Sequence, residues 1–256
     1  VSSGASAPAD WDAATYSRVS SPQRQWSRAV LDRLDLNGGE TVLDAGCGSG
    51  EVTAELLERL PEGRVIAVDG SRSMVEAAAD LLPPDRTEVI CCDLTSLEFE
   101  SQVDHAFSNA VFHWVADHDR LFEGLGRAIR PGGRLVAQCG GSGNVAEVES
   151  ALEAVCREPA FADAVAGFES PWNFAGPEET EVRLLAAGFE SAECWLEEQV
   201  ARPAEPRAFL QASGLAQVKE VLDPGSFEAF TDRMMAVMGQ PQTFQYVRLN
   251  IVARRS

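Results

Sequence analysis

The stretch Thr41-Val42-Leu43-Asp44-Ala45-Gly46-Cys47-Gly48-Ser49-Gly50 decides how the rest of the chain is read. Apolar and β-branched residues run into an acid, and glycine then falls at every second position. Residues 51–60 follow at once, with Val52, Leu56, Leu57 and Leu60 at helical spacing. A strand, a bare turn and a helix N-terminus in that order form a mononucleotide-binding crevice. Glycine is needed there because a Cβ would block both a positive-φ turn and the close approach of a ligand. The spacing narrows the ligand. A dinucleotide fingerprint reads G-x-G-x-x-G, its third glycine packing helix on strand beside a pyrophosphate. Here the run is G-x-G-x-G, with Asp44 two residues ahead of Gly46. An acid at that spot suits a ligand carrying a cationic amine and sits poorly beside a phosphate.

Working outward, 64–69 reads as a second apolar strand ending in Asp69. A helix over 71–82 follows, with Ser71 as N-cap and Met74, Val75 and Ala78 on its inner face. Pro83-Pro84 stops it. A short strand over 89–92 again ends in an acid, Asp93. A fourth strand is expected over 103–108 and a helix over 117–129 capped by Asp117. Pro131-Gly132-Gly133 is expected to turn that helix into a fifth strand over 134–139. Strands alternating with helices at this spacing predict an α/β fold with a parallel sheet covered on both faces. Val145, Val148, Leu152 and Val155 mark a further helix, 158–176 reads as a loop, and 177–187 as a helix opened by proline. The last two strands are expected over 190–200 and 243–254. In the second, Val247, Leu249, Ile251 and Ala253 alternate with polar neighbours. Between them, 203–240 forms an insertion with Phe227, Phe230 and Met234 on one helix face, either packing or roofing a pocket.

Three acids therefore stand at three successive strand tips. Asp69, 19 residues past Gly50, can accept both ribose hydroxyls. Asp93 can accept an adenine amine, with the Leu94 N–H facing a ring nitrogen.

The 256 residues fit one domain, 1–256, of α/β size. It divides into a mobile tail (1–10), N-terminal cap helices (11–36), a core (40–202 and 241–254) and a helical lid (203–240). The net charge of −19 and the single lysine, Lys219, argue against nucleic acid and anionic membranes as partners. No apolar run reaches membrane-span length, and no charged-then-apolar leader opens the chain. The six cysteines lack C-x-x-C spacing, and Cys47, Cys91, Cys92, Cys139 and Cys194 fall in or beside strands or the glycine turn. Free thiols, no metal and a cytoplasmic location are expected. His105, His113 and His118 lack helical metal-ligand spacing with acids.

Over about 11–139 the chain resembles the class I S-adenosylmethionine-dependent methyltransferases. Asp44-Ala45-Gly46-Cys47-Gly48-Ser49-Gly50 is similar to their first motif, D/E-x-G-x-G-x-G. Val68-Asp69-Gly70-Ser71-Arg72-Ser73-Met74 is similar to their second, V-D-x-S-x-x-M. The resemblance implies a doubly wound, mostly parallel seven-stranded sheet and S-adenosyl-L-methionine as cofactor. It would be held by Asp44, Gly46, Gly48, Gly50, Asp69, Gly70, Met74, Asp93 and Leu94. Two further stretches, Tyr16-Ser17-Arg18-Val19-Ser20-Ser21-Pro22-Gln23 and Ser108-Asn109-Ala110-Val111-Phe112-His113-Trp114-Val115, resemble the carboxylate O-methyltransferases of small acids. Those include the juvenile hormone acid, trans-aconitate and malonyl-thioester enzymes. By that resemblance, Gln23 and Trp114 would hold the acceptor carboxylate, and Tyr16 and Asn109 would lie near the methionine half of the cofactor. His113 precedes the tryptophan there too, with no role that the resemblance assigns.

A carboxylate is already an anion at neutral pH, so its O-methylation needs no general base. Neutral donors such as an amide and an indole N–H can orient it and leave its oxygen nucleophilic. The first expectation is thus methylation of a small, apolar carboxylic acid. The alternatives are methylation of carbon, nitrogen or a phenol with His113 or Tyr16 removing a proton, an NAD-dependent oxidoreductase, and a non-catalytic cofactor-binding module. The acceptor itself and the oligomeric state are not encoded in any motif.

Overall fold

The computed structural model of the protein describes residues 27–168, 170–240 and 243–256. The tail 1–10, most of the cap 11–36, Tyr16 and Gln23 lie outside the described residues. Of the cap, 27–31 is helical.

The sheet has strands β1 (Thr41–Ala45), β2 (Arg64–Asp69), β3 (Thr87–Cys91), β4 (Val103–Asn109), β5 (Ile129–Gly140), β6 (Phe189–Ala201) and β7 (Phe244–Arg255). They lie in the order β3-β2-β1-β4-β5-β7-β6. Strands β1 to β5 pair in parallel, whereas β7 runs antiparallel to both β5 and β6. The order reverses at β1 and β4, so a crevice opens at their carboxyl ends. Helices α1 (Glu51–Glu58), α2 (Arg72–Leu81), α3 (His118–Ala128), α4 (Ala146–Cys156) and α5 (Pro177–Ala186) connect the strands. The insertion after β6 folds as α6 (Pro206–Ser213), α7 (Ala216–Val221) and α8 (Pro224–Met238).

Alternation along β1 assigns the faces. Val42 packs with Leu56, Leu57 and Leu60 of the α1 region and with Val30 and Leu34. Leu43 and Ala45 belong instead to the cluster containing Leu121 and Leu125 of α3 and Leu184 of α5. Both faces are therefore covered, as a parallel sheet requires. A third cluster joins Val148 and Leu152 of α4 to Phe209, Phe227, Phe230 and Met234 of the insertion and to Phe244 of β7. The apolar face expected on the insertion is this cluster.

Two expected boundaries move. The fifth strand begins at Ile129, not after Pro131-Gly132-Gly133, because Ile129 already pairs with Val103. The positive φ of Gly132 (82°) and a register shift between Val103 and His105 absorb the glycine turn inside the strand. The polar residues of β7 also depart from an alternating surface strand. Arg248 is 2% exposed and bonded to Gln138, and Asn250 is fully buried and bonded by Gln138 and Arg33. All six cysteines are free thiols; Cys91 is exposed and Cys156 ends α4. Among the described residues no helix is long and apolar enough to cross a membrane.

Phe230 is fully buried and meets Phe161 edge-on at 5.1 Å. Phe230→Ala should lower unfolding free energy by about 3–5 kcal/mol in denaturant titrations.

Candidate active site

A cavity of about 900 Å³ opens above the carboxyl ends of β1, β2 and β4 and runs under the insertion. That is ample for a cofactor and a small acceptor together. Its floor at one end is the glycine turn. Gly46 and Cys47 both donate N–H bonds to the Val68 carbonyl, at 2.7 and 3.0 Å. Gly46, Gly48 and Gly50 have φ of 90°, 54° and 86°, the left-handed region that favours glycine. They are bare for different reasons. A Cβ at Gly46 would collide with the Val111 side chain, and one at Gly50 would come within 3.1 Å of Leu82. Among the described residues nothing lies within 4 Å of a Cβ placed on Gly48, so this backbone faces the cavity it lines.

The three strand-tip acids line the same cavity and differ in environment. Asp69 accepts N–H bonds from Gly48 and Ser71, both at 2.9 Å, and so fastens the glycine turn to the start of α2. Burial raises its pKa despite those bonds. Asp93 caps the 3₁₀ turn Leu94–Ser96, its Oδ1 accepting from the Thr95 N–H and hydroxyl. Asp44 is 2% exposed, and its Oδ2 accepts from the Thr53 hydroxyl at 2.7 Å. Burial pushes its pKa up to about 7, against the Thr53 bond and with the Asp69 charge adding to the rise. Such a carboxylate is stabilised by an incoming cation. Burial, together with Asp44 and Asp69, also raises the Cys47 thiol, which stays protonated.

Asn109 ends β4 at the cavity wall, and its Oδ1 is buried with no hydrogen-bond partner among the described residues. A buried acceptor of this kind calls for a donor from a ligand. The bare Gly48 backbone, the cation-seeking Asp44 and the Asn109 carbonyl together fit an amino-acid nucleoside such as S-adenosylmethionine. Gly70, Met74 and Leu94 also line this end.

At the other end the wall is aromatic. His113 and Trp114 belong to the 3₁₀ turn Phe112–Trp114, their ring centroids 5.0 Å apart. Phe174 stacks on His113 at 5.8 Å, and Trp172 lies 5.6 Å from Phe174 and 6.2 Å from Trp114. Asn173 clamps this loop in place, its N–H on the His113 carbonyl and its amide on Val115 and Ala116. The Gly140 N–H donates to His113 Nδ1 at 3.1 Å, so the neutral ring carries its proton on Nε2. Burial, then Arg248 and His118, holds its pKa well below the usual imidazole value.

Sequence reasoning did not find Thr53, Trp172, Phe174 or Arg248. Thr53 sits nine residues past Asp44, a spacing that could have signalled it. The aromatic pair lies in a loop without periodicity.

A methyltransferase-domain profile matches residues 43–137. A trans-aconitate 2-methyltransferase of Methylobacterium nodulans is 31% identical over 261 residues, covering 97% of this chain and 99% of that one. Another, from Azoarcus sp. (strain BH72), is 39% identical over 128 residues, and this chain spans only half of its length (50% of each). Haemonchus contortus phosphoethanolamine N-methyltransferase 2, solved with phosphomonomethylethanolamine and S-adenosylhomocysteine, shares the fold at a TM-score of 0.61. The two are 19% identical over 95% of this chain and 56% of that one. The chain belongs to the class I S-adenosylmethionine-dependent methyltransferases. Its similarity to the Methylobacterium nodulans trans-aconitate 2-methyltransferase runs over nearly its whole length.

The raised pKa of Asp44 gives a signed pH test. Below about pH 7 the ligand-free carboxyl is protonated, and a cationic amine must expel that proton on binding. Affinity for S-adenosylhomocysteine in calorimetry should be flat above pH 7 and fall by up to about tenfold per unit below it. Asp44→Asn should bind more weakly with no such slope. In parallel, Gly48→Ala should abolish binding in a folded protein, whereas Gly46→Ala should lower the melting temperature as well.

Proposed function

We propose that the protein transfers the methyl group of S-adenosylmethionine to a carboxylate oxygen of a small organic acid. The observation that carries this reading is the state of His113. Its Nδ1 lone pair is occupied by the Gly140 N–H and its pKa is held low, so it offers the cavity an N–H. A site that methylates a phenol or a carbon acid is served by a lone pair there that takes the proton. A site for an acceptor that is already anionic needs donors. The Trp114 indole on the adjoining wall is a second donor of the same neutral kind. The names of the trans-aconitate relatives support an acid acceptor.

Asp44, Asp69 and Asn109, with the backbone at Gly48, are the residues suited to hold the cofactor. When bound, it supplies an electrophilic methyl on a sulfonium, and transfer to a carboxylate oxygen leaves an ester and a neutral thioether. The chain's own part is positioning. His113 Nε2–H and Trp114 orient the carboxylate without neutralising it, while Trp172 and Phe174 exclude water around it. Held in near-attack geometry, such a reaction can gain several kcal/mol from orientation alone. Gln23 and Tyr16 remain assigned to acceptor and cofactor only by family resemblance.

The test is an acid panel with mass spectrometry of the product, which should be a methyl ester. The rate constant at saturation should be level between about pH 7 and 9, where carboxylates stay ionised. A tenfold rise per unit across that range would indicate removal of an acceptor proton. His113→Gln, which keeps an N–H donor, should retain most activity, and His113→Leu should lose about ten- to hundredfold. Equal loss in both variants would favour a base.

A further inference from the structure

His118 is a buried histidine to which the methyl-transfer reading gives no part. It is the first residue of α3, and only 4% of it is exposed. Its Nε2 lies 2.9 Å from the Phe112 carbonyl oxygen. A carbonyl only accepts, so Nε2 carries the proton and the neutral ring keeps its lone pair on Nδ1. That Nδ1 is buried with no hydrogen-bond partner among the described residues. Burial holds the pKa of the ring below the usual imidazole value. The Phe112 bond, Glu179 and Asp119 oppose that fall, and Arg183 adds to it.

The segment that this ring holds spans both halves of the site. Asn109 lines the cofactor end. Ala110 follows with a φ of 62°, a conformation that a residue with a Cβ keeps only where its surroundings enforce it. The Val111 side chain occupies the space beside Gly46, where a Cβ would collide with it. His113 and Trp114 then form the acceptor wall. One short run of chain thus spaces the methyl donor from its acceptor. Its carbonyls are taken by two residues. His118 donates to that of Phe112, which also accepts the Val115 N–H at 3.0 Å, and Asn173 donates to those of His113, Val115 and Ala116. The two anchors differ in what stands behind them. Asn173 belongs to a loop, whereas His118 opens a helix whose Leu121, Phe122 and Leu125 are buried in the core. The His118 ring also lies 5.7 Å from that of Phe122, which meets Phe112 edge-on at 5.8 Å.

We infer that His118 is a positioning residue for methyl transfer: its Nε2–H, tied to the core through α3, holds the Phe112 carbonyl and so sets where His113 and Trp114 present the acceptor. This rests on the reading of the acceptor wall given above and deepens it. Transfer in one line tolerates little displacement of the acceptor, so a wall that shifts by a fraction of an ångström loses rate before it loses binding. An imidazole suits the task, because its donor sits on a stiff ring that packing against Phe122 restrains. Closing the turn alone does not call for a ring with a second nitrogen left buried and unpaired.

The test joins nitrogen NMR of the imidazoles, of which the chain has three, to steady-state kinetics with an acid that the panel shows to be methylated. At pH 7 the wild-type His118 should show a protonated Nε2 and a bare Nδ1. His118→Leu, which removes the donor, should lower kcat by about ten- to hundredfold and move the His113 resonances. Its affinity for S-adenosylhomocysteine should stay near that of the wild type. His118→Gln, whose amide keeps an N–H for the same carbonyl, should recover most of kcat. Leu125→Ala thins the same helix away from the turn. It should lower the melting temperature at least as far as His118→Leu does, yet leave kcat and the His113 resonances in place. A wild-type ring protonated on Nδ1, which needs no variant to observe, would overturn the inference. So would a loss of kcat that Leu125→Ala reproduces or that His118→Gln does not repair. Failure of the carboxylate reading looks different. In that case no ester forms from any acid, yet the His113 resonances would still move in His118→Leu and not in Leu125→Ala, and the positioning bond would stand.

Discussion

The carboxyl end of β2 holds the glycine turn in place, and the rest of the site depends on it. Two successive N–H groups of the turn converge on the Val68 carbonyl, and the next strand residue, Asp69, takes the N–H of Gly48. The same carboxylate reaches forward to Ser71, so the loops after β1 and β2 become one rigid unit. Hydrogen bonds to a charged acceptor contribute about 1.5–3 kcal/mol each, yet burial still outweighs them in the ionisation of Asp69. With Asp44 beside it, the folded protein carries two buried carboxyl groups whose pKa values burial raises. A ligand-free fold selected for stability alone would not keep that pair. It is a standing electrostatic deficit that a cationic ligand would relieve, so that binding and folding would share one set of residues.

The sequence made the cofactor half legible because its physics is local. A strand, a glycine turn and a helix follow one another within Thr41–Glu58, and the acids lie at strand tips that hydrophobic runs already mark. The Ser71 and Asp117 caps announce their helices through single side chains that accept from Met74 and Arg120. The acceptor half is assembled from distant pieces. Trp172 and Phe174 come from a loop, and they meet His113 only because Asn173 ties that loop to the turn after β4. Arg248 and Asn250 look like the outward half of an alternating strand. Their described polar partners, Gln138 and Arg33, arrive from elsewhere in the chain. Tyr16 and Gln23 lie outside the described residues, so the readings placed on them rest on resemblance.

The same division explains why glycine spacing carried so much information and so little about the acceptor. Gly46 and Gly50 are bare to make room for Val111 and Leu82, neighbours that the fold itself supplies. Of the three, Gly48 alone has no described atom within 4 Å of a placed Cβ, and it lines the cavity. One motif thus encodes packing at two positions and ligand approach at one. The acceptor end has no comparable motif, because its shape is set by side chains that the insertion and β7 bring together.

The buried polar row along β7 also fixes how that strand can sit. Arg248 and Asn250 occupy one face while Leu249, Ile251 and Ala253 pack in the cluster on the other. A slip of one residue against β5 would thrust the guanidinium into hydrocarbon and strand the leucine among amides. The antiparallel strand between β5 and β6 therefore has a single admissible alignment. The group that dictates it is the same cation that reaches the cavity.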